Sequence, residues 1–284
     1  MQPTAPNSAP QELQDLKVAV FSCDLYCDMW PLFFHFLFKH WPEVPTPIYL
    51  LTNHLSYADP RVITVKVGDD TSWTDGIARG LAQVPSEYVF CLLDDFMLTK
   101  PMFVQRLLDV YLPLKNQGGD WVCLRPKGPA PADEPGALIA PITEAEQSAG
   151  FHAGIWRTTY LQKLCAEVNL NIWHTEGHIR KLIRRGKAGN LFYMTENAAG
   201  QISYIEVVKR FWQKAGIDYV RANNIRPDLW RRPYPPQGDN VFARFIRSLL
   251  KRYVRMKSAL ETKRLLKDNN GVVSSAVRHI KPEK

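Results

Sequence analysis

Two aspartates stand side by side where the most apolar stretch of the chain ends, in Leu92-Leu93-Asp94-Asp95-Phe96. Adjacent carboxylates repel each other unless a cation neutralises them. The apolar run before them and Phe96-Met97-Leu98 after them hold the pair against a core edge rather than on a free surface. Such a pair suits magnesium or manganese. These ions take one or two protein carboxylates and complete their shell with phosphate oxygens and water. A capping or solvated acidic pair is the structural alternative.

Three other clusters could carry chemistry. Ser72-Trp73-Thr74-Asp75 has the spacing of a capping box, with Trp73 or Asp75 also able to touch a base or sugar. Ile172-Trp173-His174-Thr175-Glu176-Gly177-His178 holds an indole, a carboxylate and two imidazoles. Glu176 could act as a general base toward a hydroxyl, and Trp173 could offer a stacking face to a sugar ring. In the first turn of a helix Glu176 also has an electrostatic explanation. His152 and His178 are possible metal ligands, although isolated histidines are more often plain polar residues. Cys23 and Cys27 could form half a zinc site, but no second pair completes it, so the five cysteines read as reduced, mostly buried thiols. Phosphatases of the haloacid-dehalogenase type use Asp-x-Asp followed by Thr or Ser. The adjacent acids here, with Thr99 four positions on, do not fit.

The elements around these residues alternate. Apolar runs at 18–21, 48–51, 62–67, 88–93 and 121–124 read as strands. Residues 29–40, 74–83, 101–112, 157–168 and 175–185 read as helices. The alternation predicts a βαβ arrangement with a largely parallel sheet. In such sheets ligands bind beyond the carboxyl ends of the strands. Residues 22–24, Asn53, Asp69, Asp70, Asp94 and Asp95 all follow predicted strands, so they are expected along one edge. Residues 127–141 read as a loop or lid, 226–238 as an irregular linker and 1–16 as disordered.

The chain has 284 residues, 45% hydrophobic and 23% charged, as expected of a globular protein with a sizeable core. Its formal net charge of +8 is uneven. Residues 241–284 hold twelve Lys and Arg against three acids, which leaves the body near neutral. This weakens a nucleic-acid reading of the whole protein. Phe242, Phe245, Ile246, Leu249, Leu250 and Tyr253 recur at helical spacing among Arg244, Arg247, Lys251 and Arg255. The pattern predicts a basic amphipathic helix of about four turns. It could pack on the protein's own core, lie on anionic lipid or contact nucleic acid. No apolar stretch is long enough to span a bilayer. The N-terminus lacks the pattern of a secretory signal, so a cytoplasmic protein is expected.

Phe21-Ser22-Cys23-Asp24, the stretch from Tyr49 to Asn53, Ser72-Trp73-Thr74-Asp75 and the stretch from Tyr88 to Phe96 occur in that order. Together with Trp173-x-x-Glu176, the pattern resembles bacterial GT-A-fold glycosyltransferases of cell-surface polysaccharide synthesis over residues 17–215. The resemblance implies an α/β, GT-A-like (Rossmann-like), mostly parallel central sheet flanked by helices. Residues 17–240 would form the catalytic domain, with a donor half of about 17–125 and an acceptor half of about 126–240. A basic tail follows at 241–284.

The resemblance further implies a nucleotide-sugar donor and Mn2+ or Mg2+. Asp94 and Asp95 would correspond to the element that holds metal and ribose, both acids at the metal and Asp94 also by the donor. Ser22, Asp24 and Asp75 would lie by the donor, Trp173 by the acceptor, and Glu176 at the acceptor-side base. The implied activity is sugar transfer, with inversion, to the hydroxyl of a saccharide or lipid-linked acceptor. The tail would lie against the anionic inner face of the plasma membrane. The alternative is a non-catalytic, membrane-recruited sugar-nucleotide-binding or scaffold protein.

Overall fold

The computed structural model describes residues 11–143, 150–151, 153–198 and 202–276. In chain order the first half comprises β1 (Leu16–Phe21), α1 (Trp30–His40), β2 (Ile48–Thr52), β3 (Ser56–Ala58), β4 (Val62–Lys66), α2 (Trp73–Leu81), β5 (Tyr88–Leu93), β6 (Phe96–Leu98), α3 (Val104–Asn116) and β7 (Trp121–Gly128). The second half comprises β8 (Ile139–Pro141), β9 (Gly154–Arg157), α4 (Thr158–Ala166), α5 (Ile172–Arg184), β10 (Leu191–Thr195), β11 (Tyr204–Glu206), β12 (Val208–Lys209), β13 (Phe211–Trp212), α6 (Lys214–Ala222), α7 (Val241–Asp268) and β14 (Val272–Ser274).

Eight strands form the central sheet in the order β4-β2-β1-β5-β9-β7-β10-β8. The four strands β4, β2, β1 and β5 are mutually parallel. β9 runs antiparallel between β5 and β7, and β10 rejoins β7 in parallel. The result is a Rossmann-like α/β sheet, largely parallel and covered on both faces.

Double coverage explains the unbroken apolar strands. Along β1, Leu16, Val18 and Val20 join the core beneath α1 and α3, while Ala19 and Phe21 join the core beneath α2, α4 and α5. Along β5, Tyr88, Phe90 and Leu92 face the first core, and Val89 and Cys91 the second.

Several sequence expectations are revised. The 127–141 stretch is not wholly a loop: β7 continues to Gly128, and Ile139–Pro141 pairs antiparallel with β10. β10 pairs with β7 on one side and with the edge strand β8 on the other, and so supplies the backbone partners that the Pro- and Gly-rich composition hid. Order begins before residue 17, because Gln11–Leu13 forms a 3-10 turn whose Leu13 is buried in the core; residues 1–10 lie outside the described residues. The tail helix runs for 28 residues rather than about four turns. Beyond it, β14 pairs in parallel with β3. Among the described residues, no helix is long and apolar enough to cross a membrane.

Candidate functional site

β1 and β5 lie in register, with Phe21 opposite Leu93, so the loops after them begin side by side. The Ser22 hydroxyl donates to Asp94 Oδ2. Trp30 Nε1, at the start of α1, donates to Ser22 Oγ at 2.6 Å. Asp94 is therefore pinned at the sheet edge, and it is buried. Burial, and then repulsion from Asp95, hold its carboxyl well above the usual range despite the Ser22 hydrogen bond.

Asp95 is half-buried. Its backbone carbonyl accepts from Val207 N at 2.9 Å, and β11 pairs with β6 so that Glu206 lies opposite Phe96. Burial first, then the Glu206 carboxylate, push the Asp95 carboxyl up to about 7, while Arg232 and Lys209 oppose the shift.

This donor set fits a hard divalent cation. Both side chains offer only oxygen, and both resist ionisation where they stand. Among the described residues, no three His, Cys, Asp or Glu side chains converge as they do in a protein-only metal centre. An ion here would draw the rest of its shell from phosphate and water, the habit of magnesium. The thiols fit poorly. Burial pushes Cys23 up to about 12 and Cys27 up to about 11, and Cys27 Sγ accepts from Arg231 at 3.5 Å. His178 is half-buried in α5 and belongs to no such cluster; His152 lies outside the described residues.

Asp24 follows the first strand as expected, and its buried carboxylate is turned to the backbone of the next loop. It accepts from the backbone N–H groups of Asn53, His54 and Leu55 at 3.1, 3.0 and 3.2 Å. Asn53 returns the bond, its Oδ1 accepting from Asp24 N at 3.2 Å. This reciprocal clamp ties the loop after β1 to the loop after β2. In this clamp Asp24 positions the two loops.

Asp75 is likewise committed. Ser72 caps α2, its Oγ accepting from Asp75 N at 3.2 Å. The Asp75 carboxylate accepts from Thr71 N at 2.9 Å and pairs with Arg79 at 2.9 Å. The cap and these protein contacts engage the Ser72 hydroxyl and the Asp75 carboxylate, and Trp73 turns inward against Phe21 and Phe151.

α5 starts at Ile172, earlier than its sequence pattern suggested, because Asn171 caps it through His174 N at 3.0 Å. Glu176 thus sits in the second turn. Its Oε1 accepts from Phe151 N at 3.0 Å, and Arg180 lies 4.0 Å from Oε2. Thr74 bonds the backbone of Val168 and Leu170, which brings the start of α5 against the start of α2 at the same sheet edge. Trp173 is 61% exposed there.

No local pattern marks the charges behind the acid pair. Arg232 is fully buried and forks onto Asp28 at 2.7 and 2.8 Å, with further bonds to the carbonyls of Leu25 and Arg210 at 2.6 and 3.2 Å. Its guanidinium also lies 4.3 Å from the Tyr26 ring centroid. Arg231 reaches Asp28 at 3.1 Å and pairs with Glu261 of α7. The supposed linker at 226–238 therefore delivers the counter-charge of the site. Nothing local marks Arg232, since its partners Asp28 and Leu25 lie about two hundred residues earlier in the chain.

No protein-family model and no curated protein matches the chain. Among solved structures it is similar to Staphylococcus aureus TarS 1-349, at 12% identity and a TM-score of 0.43 over 67% of this chain and 59% of that one. It is similar to a cytidylyltransferase from Leptospira borgpetersenii, at 12% identity and a TM-score of 0.41 over 74% and 94%. It is also similar to a CMP:2-keto-3-deoxy-manno-octonic acid synthetase complexed with CTP, at 11% identity and a TM-score of 0.40 over 74% and 98%. The chain thus spans 59% of the length of the TarS fragment it matches. At these scores the likenesses carry no inference about activity, which rests on the site itself.

Proposed function

We propose that the protein is a metal-dependent glycosyltransferase that moves a sugar from a nucleotide-sugar donor to a hydroxyl of a saccharide or lipid-linked acceptor in surface polysaccharide synthesis. The observation that carries this reading is the acid pair. Asp94 and Asp95 sit at the carboxyl edge of a doubly covered α/β sheet, held there by Ser22 and Trp30, in surroundings that penalise their charge until a cation arrives.

Asp95 and Asp94 would hold Mn2+ or Mg2+, which supplies Lewis-acid stabilisation of a diphosphate leaving group. Ser22 fixes the rotamer of Asp94. Asp24 and Asn53 hold the loop beside it, so the carboxylates need not reorganise on binding. On the other flank, the Phe151 N–H orients Glu176 through Oε1. Glu176 accepts the proton of the acceptor hydroxyl as that oxygen bonds to the anomeric carbon. The bond from that carbon to the diphosphate oxygen breaks, and its electron pair leaves with the nucleoside diphosphate. A single displacement of this kind inverts the carbon. Trp173 offers its exposed indole to the acceptor ring.

A thermal-shift series with nucleotide sugars, with and without manganese, tests the reading. The expected result is a stabilisation that needs both components and is lost in Asp95→Ala, with turnover down on the order of 10³-fold. Full turnover by Asp95→Ala would overturn it. Stabilisation without transfer or hydrolysis would favour a non-catalytic sugar-nucleotide-binding protein.

A further inference from the structure

α7 meets the rest of the molecule through one narrow face. Ala243, Val254 and Ser258 are buried, and the helix packs on the 3-10 turn Asp24–Tyr26. Of the apolar residues in the sequence pattern, Ile246, Leu250 and Tyr253 are half-buried, while Phe242, Phe245 and Leu249 are exposed. Phe242, Phe245, Leu249, Met256 and Leu260 follow spacings of three, four, seven and four, which makes them one continuous stripe. At about 100° per residue, the stripe lies roughly 150° around the helix from the buried face. These five side chains and Val241 are between 45% and 75% exposed.

The stripe continues onto a neighbouring segment. Trp230, 76% exposed, packs edge-on to Tyr253 at 6.5 Å between ring centroids. Lys257 lies 5.3 Å from the Trp230 ring centroid. Arg252 and Arg255 border one side of the stripe, Lys257 and Arg264 the other. The helix carries nine Lys and Arg against Glu261 and Asp268.

We propose that this face docks on an anionic lipid bilayer, with α7 lying in the headgroup plane and its stripe inserted. Charge complementarity selects that occupant. A second copy of the chain would bring nine like charges against nine. A nucleic acid would satisfy the basic residues but leave an aromatic row against water. A bilayer of acidic lipids takes both, apolar side chains below the headgroups and Lys and Arg among them, with Trp230 and Tyr253 at the depth such rings favour. The docking is rigidly coupled to the site. The turn under α7 follows directly from Ser22 and Cys23, and the Arg231–Glu261 pair ties the helix to the segment that supplies Arg232. A docked α7 therefore holds the acid pair at a fixed position relative to the membrane.

Co-sedimentation of the full chain with phosphatidylglycerol-containing vesicles tests the proposal, and it does so whether or not the protein transfers sugar. The wild type should pellet with anionic vesicles at physiological salt and stay in solution with pure phosphatidylcholine. Phe245→Ser/Leu249→Ser should weaken binding about 100-fold. Arg252→Ala/Arg255→Ala should weaken it roughly 25-fold, at about fivefold per basic residue removed. Both variants should melt at the wild-type temperature, because these side chains face solvent. Three results would overturn the proposal: a wild type that ignores anionic vesicles, stripe variants that bind them unchanged, or a stripe-dependent dimer in place of vesicle binding.

Discussion

Glu176 is held by a single backbone N–H, from Phe151, which fixes its direction and leaves its second oxygen toward Arg180 at 4.0 Å. A carboxylate that takes a proton in the transition state contributes typically 10²- to 10⁴-fold. Glu176→Gln preserves the shape and the contact with Phe151 but cannot accept that proton. We expect turnover to fall about 10²- to 10⁴-fold, with donor-dependent thermal stabilisation intact. Steady-state kinetics beside a binding curve separate the two, and unchanged turnover would reassign the base. Asp24 and Asp75 stand differently. Each resembles a ligand contact in sequence, yet each carboxylate spends its acceptor capacity on protein groups. Short-range pattern cannot distinguish these cases, because an aspartate after a strand serves a clamp as readily as a ligand.

The loop after β1 and the segment after α6 are joined by buried charge. Asp28 would rise on burial alone, but the guanidinium groups of Arg232 and Arg231 hold its carboxyl below the usual value. Arg232 in turn stays charged despite its burial, because Asp28 faces it. Removing Arg232 leaves the buried Asp28 with Arg231 alone and without its two-point partner, and breaking a buried pair costs up to about 3–5 kcal/mol. Arg232→Ala should therefore lower unfolding stability by up to about 3–5 kcal/mol. It should also loosen the Leu25–Asp28 turn, which denaturant melts and amide exchange of that turn would record. Melts that match the wild type would show that the pair is dispensable. The same element logic governs β6 and β11. Three-residue strands are too short to announce themselves in composition, and they exist because each supplies the other's hydrogen bonds. Their pairing brings Glu206 beside Asp95.

At the scale of the molecule, the acid pair links stability to pH. Folding lifts Asp95 from 3.8 to about 7, so the folded state binds that proton more tightly than the unfolded chain. The stabilisation from this proton is complete below about 3.8 and is lost as pH rises through about 7. Asp94, also raised, acts in the same direction. In chelator, the melting temperature should therefore fall as pH climbs from 6 to 8. Manganese should restore it by taking the proton's place. A melting temperature that is flat across that range, or indifferent to manganese, would show that the pair is not strained. The tail belongs to this scale as well. α7 is bolted through Arg231–Glu261, and β14 completes a sheet with β3, so residues 241–276 are part of the folded body and not an appendage.

The amino-acid sequence by itself determined the alternating architecture, the strands whose two faces are both apolar, the position of Asp94-Asp95 at a strand end and the helicity of the basic tail. These are local properties, written in periodicity and in runs of a few residues. Only the tertiary structure decided which acids are engaged by protein groups, where the counter-charge comes from, and which way the aromatic row of α7 points. Those depend on pairings across up to two hundred residues, as in Asp28 with Arg232, and on which of two faces of one helix the body covers. An amphipathic pattern fixes that two faces differ. It does not say which of them the rest of the chain will bury, since that is settled by the shape and charge of the surface it meets.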